Sequence, residues 1–214
     1  MHKQIYVGYF NMVKNIGLIS DSIGHGYYDE NDKGWFSRLG NLILSQQAGE
    51  YVFNNMSYSG DNIADATSRA NFEVLSRNFD LIFINIGIND LRRRKDSNLR
   101  LDFSEGIRIM YWNKLLDIAA KTNATIIVTD LIPVIEERYS EHASLIRRND
   151  DVKRYNEIIE NICKQRNILF FKRYDKWLKR DLQNLYKDAT HPKAEGHQMI
   201  AEEIYEYMKN KNLI

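Results

Sequence analysis

Short apolar runs alternate with longer segments of helical periodicity along most of the chain. The runs are nearly continuous in isoleucine, valine, leucine and phenylalanine, which is typical of parallel strands buried on both faces. Five strands are predicted in this way, at residues 16–20, 51–56, 81–86, 125–129 and 168–171. The segments between them repeat apolar residues every three or four positions. They predict helices at residues 35–47, 63–77, 104–121, 151–166 and 192–209.

The regular alternation of strands and helices predicts the fold class. Each strand would return to the sheet through a right-handed helical crossover, which gives an α/β fold with about five parallel strands in a three-layer α/β/α sandwich. No internal repeat, low-complexity tract or linker divides the sequence. We therefore expect one domain over residues 1–214, with residues 1–11 as an appendage or a short leading strand. Ligands of such folds bind beyond the carboxyl ends of the strands.

Composition narrows the classes of protein that remain. The 30 basic and 29 acidic residues leave a net charge of +1, so no global field would attract nucleic acid and no such partner is expected. Cys163 is the only cysteine, which excludes an internal disulfide and favours a thiol-reducing compartment. No apolar run approaches about 18 residues, and the one near the start is too short and broken for a signal-peptide core. We expect a cytoplasmic protein without stable membrane insertion.

Four polar clusters are candidates for the chemistry. Three of them follow predicted strands, at residues 20–26, 59–62 and 87–90, and the fourth lies at residues 188–192. Each is ordinary turn or cap chemistry when taken alone. Together they are more informative, because the strand ends of one parallel sheet would bring the first three clusters to a single crevice.

Acyl transfer is the chemistry that these residue types fit. Ser22 is the candidate nucleophile, and a serine hydroxyl needs a neighbouring base to take its proton. His191 can be that base, because an unperturbed imidazole titrates near the working pH. Asp188, three residues earlier, can hold the imidazole in one tautomer. We expect Pro192 at the first position of the last helix, which would fix His191 in an extended conformation at the helix mouth.

A tetrahedral intermediate carries negative charge and needs preorganised donors. Three donors are expected. The backbone N–H of Ser22 is one, and that of Gly60, which has no Cβ and can approach a substrate closely, is another. The side-chain amide of Asn89 is the third. These groups would form an oxyanion hole.

Together these clusters resemble the SGNH hydrolases, the superfamily that includes the GDSL lipases and esterases. Its four signature residues are found here in the same order, as Ser22, Gly60, Asn89 and His191. The resemblance spans about residues 16–209, almost the whole chain.

Two blocks of the sequence carry most of this resemblance. The most specific is Asp-x-x-His-Pro at residues 188–192. The first block reads Ser-Asp-Ser-Ile at residues 20–23, where the family usually has Gly-Asp-Ser-Leu. The resemblance implies a flavodoxin-like sandwich, a triad of Ser22, His191 and Asp188, and neither cofactor nor metal.

The leading functional hypothesis is an esterase that cleaves a small-molecule ester, an acylated sugar or lipid, through an acyl-enzyme. The lack of a large apolar insertion favours a short acyl group, with O-acetylated carbohydrate as the first hypothesis and lysophospholipase or thioesterase activity as alternatives. A non-catalytic carbohydrate-binding descendant of the fold is an alternative from another class. A metal-dependent phosphoester hydrolase is a further one, with Mg²⁺ held by Asp21, Asp90 and Asp130. The sequence contains no coiled-coil heptad, and it leaves the oligomeric state open.

Several other residues near the predicted site have both a functional and a structural interpretation. The basic run at residues 92–95 could attract an anionic group of the substrate or be a solvated loop. Tyr27 and Tyr28 could stack on a sugar ring, meet an acyl chain or pack in a turn. His25 could line the pocket or lie on the surface, and His142 belongs to a loop of the kind that often shapes pockets.

Overall fold

The computed structural model describes residues 14–29, 33–47 and 49–214. The strands are β1 (Lys14–Ser20), β2 (Tyr51–Ser57), β3 (Leu81–Asn85), β4 (Arg93–Arg94), β5 (Thr125–Thr129), β6 (Leu145–Ile146) and β7 (Leu169–Phe171). The helices are α1 (Ser22–His25), α2 (Trp35–Gln46), α3 (Ile63–Leu75), α4 (Glu105–Ala119), α5 (Asn149–Gln165), α6 (Tyr174–Trp177) and α7 (Ala194–Asn210). The appendage or leading strand expected at residues 1–11 lies outside the described residues.

A parallel sheet of five strands lies at the centre, in the order β2-β1-β3-β5-β7. All of β3 and the last five residues of β1 are buried, which explains their nearly continuous apolar sequence. Helix α2 packs against α7, whereas α3 packs against α4 and α4 against α5. This arrangement confirms the predicted three-layer sandwich with five parallel strands. Counted within the sheet alone, the strand order is the 2-1-3-4-5 order of flavodoxin-like folds.

The carboxyl ends of three neighbouring strands are level with one another. Ser20, the last residue of β1, is paired with Ser57 of β2 and with Asn85 of β3. The loops that follow therefore leave the sheet at one edge. The candidate nucleophile and two of the candidate oxyanion donors follow these three strand ends within four residues.

The last helix begins later than the sequence predicts. Pro192 is not its first residue, because α7 starts at Ala194. Pro192 instead forms an isolated antiparallel bridge with Tyr186. Beside this bridge, the backbone N–H of Lys187 donates to the carbonyl of His191 at 2.9 Å. The backbone of His191 is thus held by a neighbouring chain segment rather than by the helix.

Two elements near the sheet edge are not predicted by the sequence pattern. One is the single-turn helix α1, which follows β1 directly. The other is an antiparallel ribbon that pairs β4 with β6. The ribbon joins the basic run at residues 92–95 to the loop that leads into α5. In the described part of the chain, no helix is both long and apolar enough to cross a bilayer.

Candidate active site

Ser22 is the first residue of α1 and lies just beyond the carboxyl end of β1. Its neighbour Asp21 caps this helix, because the carboxylate accepts the backbone N–H of Ile23 at 2.9 Å. The helix ends after one turn at Gly26, whose φ of 87° suits a residue without a Cβ. A short, capped turn therefore presents the Ser22 hydroxyl at the edge of the sheet.

A continuous series of hydrogen bonds links Ser22, His191 and Asp188. The Oγ atom of Ser22 lies 2.9 Å from Nε2 of His191, and Nδ1 of the same ring lies 2.7 Å from Oδ2 of Asp188. The other carboxylate oxygen, Oδ1, accepts the backbone N–H groups of Thr190 and His191, each at 2.7 Å. The three side chains predicted as a triad are thus brought together with both ring nitrogens engaged.

The surroundings of Asp188 keep its carboxyl group ionised. Partial burial by itself would raise the pKa of Asp188. The hydrogen bonds from the imidazole of His191 and from the backbone N–H groups of Thr190 and His191 outweigh burial and lower the pKa to about 2. A carboxylate at this position can hold the imidazole N–H and stabilise a protonated ring.

Gly60 and Asn89 are both fixed by bonds from neighbouring loops. Gly60 has a φ of 91°, and its carbonyl accepts Nη2 of Arg92 at 3.0 Å. Asn89 is almost fully buried. Its Nδ2 donates to the carbonyl of Asp61 at 2.9 Å, and its Oδ1 accepts Nη2 of Arg147 at 2.7 Å. Both residues lie on loops that leave the same sheet edge as the serine turn.

Asp21 and Asp90 brace the loops that carry the candidate residues. Burial raises the pKa of Asp21 to about 6 and that of Asp90 to about 7. Asp90 accepts the backbone N–H of Ile63 at 2.8 Å and the hydroxyl of Tyr155 at 2.5 Å. These bonds join the Asn89 loop to the start of α3 and to α5.

The three aspartates considered as magnesium ligands are used separately. Asp130 accepts the backbone N–H groups of Arg173 and Tyr174, each at 2.7 Å, and so joins the end of β5 to α6. Asp21 and Asp90 serve the other loops described above. Within the described ranges, no three histidine, cysteine, aspartate or glutamate side chains are grouped as a metal site.

Tyr27 and Tyr28 place two aromatic rings beside His191. Their ring centroids lie 5.1 and 5.8 Å from that of the imidazole, and 4.5 Å from each other. Both rings stay open to solvent, with 45% and 41% of their surfaces exposed. Tyr28 has a φ of 67°, which is rare for a bulky side chain. The pair forms an aromatic surface at the mouth of the site.

The basic run is engaged by the protein itself. Arg92 donates to Gly60 as described, and Arg93 makes a two-pronged ion pair with Asp151 at 2.6 and 2.8 Å. Lys95 donates to the carbonyl of Glu141. These contacts tie the run to the rim of the site.

The loop between β5 and α5 reaches the site through a residue that the sequence does not single out. His142 is exposed. Arg147, five residues later, is buried and bonds directly to Asn89. His25 is also exposed, at the end of α1, whereas His197 is fully buried in α7. Only its position in the His142 loop could have drawn attention to Arg147.

The family to which the sequence matches defines the class of the protein, a hydrolase that acts on ester bonds. The GDSL-like lipase/acylhydrolase family matches the sequence over residues 21–199, and the chain belongs to this family. The resemblance found in the sequence motifs is thereby confirmed. No curated protein matches the sequence.

Solved structures with the same fold include several esterases and lipases. An acetyl xylan esterase, AlAXEase, is 18% identical with a TM-score of 0.73, over 90% of this chain and 98% of that one. A lipase/acylhydrolase from Enterococcus faecalis is 20% identical with a TM-score of 0.72, over 92% and 96%. LAE5, an α/β hydrolase from the metagenome of Lake Arreo, is 22% identical with a TM-score of 0.72, over 89% and 93%. At these identities the likeness shows the fold.

Proposed function

We propose that this protein is a serine esterase that works through an acyl-enzyme formed on Ser22. The observation that carries the proposal is the series of hydrogen bonds from Ser22 through His191 to Asp188, with partner distances of 2.9 and 2.7 Å. These distances suit proton transfer from the hydroxyl to a positioned base.

The reaction would proceed in two halves. In the first, the Ser22 oxygen attacks the ester carbonyl while Nε2 of His191 takes the hydroxyl proton. The tetrahedral intermediate collapses, the bond to the alcohol oxygen breaks, and His191 gives the proton to the leaving alcohol. In the second half, His191 takes a proton from water, the hydroxide attacks the acyl group, and the proton returns to Ser22 as the carboxylic acid leaves. Asp188 holds the ring in place throughout.

Three donors would stabilise the oxyanion of each intermediate. They are the backbone N–H groups of Ser22 and Gly60 and the Nδ2 amide of Asn89. The left-handed backbone of Gly60 and the two bonds of the Asn89 amide support this assignment, because preorganised donors need no reorientation as charge develops. Each such donor typically contributes a factor of about 10² to 10³ in rate.

The proposed substrate is a short-chain ester of a carbohydrate, with an O-acetyl group as the first choice. The exposed rings of Tyr27 and Tyr28 beside His191 support this choice, because aromatic faces suit the flat faces of sugar rings. A solved structure with the same fold is an acetyl xylan esterase. Lysophospholipids and thioesters are the alternative substrates of the same chemistry.

The first experiment compares hydrolysis of p-nitrophenyl acetate, butyrate and octanoate by the wild type and by Ser22→Ala, each with and without a chelator. We expect the acetate to be the best substrate. The variant should lose at least about 10³-fold in kcat. Ser45→Ala, a change at an exposed serine on α2, is the matched control and should keep the wild-type rate.

Two other outcomes would reject the proposal. Equal and very slow turnover by the wild type and Ser22→Ala would favour the carbohydrate-binding alternative, which a sugar-binding screen would then test. Activity that disappears with the chelator and survives in Ser22→Ala would favour a metal-dependent mechanism.

A further inference from the structure

Arg147 lies buried between two loops of the candidate site, with 7% of its surface exposed. Its guanidinium makes three hydrogen bonds. Nε donates to the carbonyl of Ile88 at 2.8 Å, Nη2 to Oδ1 of Asn89 at 2.7 Å, and Nη1 to Oγ1 of Thr190 at 3.3 Å. Ile88 and Asn89 belong to the loop after β3, and Thr190 is the neighbour of His191. One side chain thus connects the candidate oxyanion hole with the candidate base.

We propose that Arg147 is a positioning residue that aims the amide of Asn89 at the oxyanion and holds it in register with the loop of His191. The inference rests on the proposed esterase function. It assigns to Arg147 an effect on the rate of the chemical steps, through Asn89, rather than on the affinity for the substrate.

The bonds of Asn89 fix its amide in one of two orientations. A flipped amide would place its NH₂ group against the N–H of Arg147 and its oxygen against the carbonyl of Asp61. A donor would then face a donor at Arg147 and an acceptor would face an acceptor at Asp61, so both hydrogen bonds would be lost. In the observed orientation, one of the two Nδ2 protons is used by Asp61. The other proton remains for the oxyanion.

The charge of Arg147 is a further reason to assign it a role in the reaction. In the part of the chain that the structure describes, all three hydrogen bonds of its guanidinium go to neutral oxygens. Burial of a cation costs stability, which hydrogen bonds to neutral oxygens offset only in part. A neutral side chain would pack at lower cost, but an apolar one would make none of the three hydrogen bonds that hold the loop of Asn89 beside that of Thr190.

The loop of His191 is held by the same network. Oγ1 of Thr190 lies 2.9 Å from the hydroxyl of Tyr139 as well as 3.3 Å from Arg147. The backbone N–H of Thr190 donates to Asp188 at 2.7 Å. Thr190 keeps its bonds to Tyr139 and Asp188 when Arg147 is removed, so loss of Arg147 acts mainly on Asn89, whose side-chain oxygen it binds at 2.7 Å.

The test is a mutant cycle of Arg147→Met, Asn89→Ala and the double variant, with Arg147→Lys as the conservative change. We expect Arg147→Met to lower kcat on p-nitrophenyl acetate by about 10- to 100-fold, with KM within about threefold of the wild type. Arg147→Lys should recover part of the loss. The double variant should be no slower than Asn89→Ala, because Arg147 acts through Asn89. Arg173→Lys, a change at another buried arginine, whose guanidinium forms an ion pair with Asp130, is the matched control and should keep the wild-type kcat.

Losses in kcat that multiply in the double variant would overturn the proposal, and so would a kcat of Arg147→Met within twofold of the wild type. If Arg147→Met does not fold, Arg147→Lys is compared with Arg173→Lys instead. A loss in kcat for Arg147→Lys that is no larger than that for Arg173→Lys also overturns the proposal. A wild type that hydrolyses no ester rejects the proposed function. In that case NMR measures the positioning of Asn89 through hydrogen exchange of its side-chain amide. The exchange should be faster in Arg147→Lys than in the wild type, and unchanged exchange rejects the positioning role.

Discussion

A Cβ atom added to Gly24 would lie 2.3 Å from the Cβ atom of Ser20. This closeness explains how the serine turn accepts Ser20 where the family usually has glycine. The side chain of Ser20 fills the space left by Gly24, and its hydroxyl donates to the carbonyl of Asn85 at 2.5 Å. The turn that carries Ser22 is therefore intact, and the departure from the usual motif is compensated within α1.

Gly24→Ala should destabilise the protein because the new methyl group has no space. Overpacking of a buried site typically costs about 1–3 kcal/mol of unfolding free energy. Ser20→Gly alone should cost about 1 kcal/mol, through the lost hydrogen bond to Asn85. The double variant should be more stable than Gly24→Ala, because removal of the Ser20 side chain relieves the two closest contacts and leaves only that with Oγ of Ser57, at 2.7 Å. Urea unfolding of the four proteins measures this, and strictly additive costs would contradict it.

The sequence predicts the sheet well because its central strands, β1 and β3, are buried over nearly continuous apolar runs. The predicted strand at 81–86 and the observed Leu81–Asn85 differ by one residue. The candidate triad and oxyanion donors could also be proposed from the sequence, because they follow strand ends or lie in a compact motif before the last helix. Local chemistry is sufficient for both inferences.

Two features escape the sequence because they depend on contacts that the local pattern does not encode. The expected helix start at Pro192 follows a local rule, which the bridge with Tyr186 overrides. Arg147 looks like any surface arginine, and its partners Asn89 and Thr190 lie 58 and 43 residues away. Only the packed structure shows that its charge is buried.

Asp188→Asn should be at least as damaging as Asp188→Ala. The asparagine amide would face Nδ1 of His191 with an N–H, which favours the tautomer that carries its proton on Nε2 and cannot accept the proton of Ser22. We expect kcat to fall by about 10³- to 10⁴-fold.

Because the pKa of Asp188 is about 2, its protonation does not change the wild-type rate above about pH 4. Steady-state kinetics between pH 5 and 9 test this, and an Asp188→Asn enzyme within tenfold of the wild type would reject the assignment.

Substitutions of Tyr27 and Tyr28 should change substrate preference. We expect Tyr27→Ala and Tyr28→Gly to lower kcat/KM for acetylated xylo-oligosaccharides by about fivefold more than for ethyl acetate, which is too small to reach the rings. Glycine is chosen at position 28 because it adopts the φ of 67° without strain. Acetate release from both esters is the measurement. Phe72→Ala, at an exposed ring on α3, is the control and should leave the ratio unchanged. Equal losses on both esters would mean that the rings serve only to orient His191.

His197 should make stability depend on pH. Burial lowers the pKa of His197 to about 4, and its Nε2 lies 3.3 Å from the carbonyl oxygen of Tyr27. In the unfolded chain an ordinary histidine titrates near pH 6.5. Above that pH both states are neutral. Between pH 6.5 and 4 the unfolded state takes up the proton and the folded state does not, so stability falls on acidification by up to about 3 kcal/mol.

A matched pair of histidine variants isolates this effect from that of the buried carboxyl groups. Asp21 and Asp90, with raised pKa values, act in the opposite direction as the pH falls, and their contribution is common to every variant. We expect His197→Gln to lose about 2–3 kcal/mol less stability than the wild type between pH 7.5 and pH 4.5. His142→Gln, at an exposed position, should follow the wild-type curve. Urea unfolding at four pH values gives both differences. Parallel curves for His197→Gln and the wild type would mean that the buried ring is protonated at the same pH in the folded and unfolded chain.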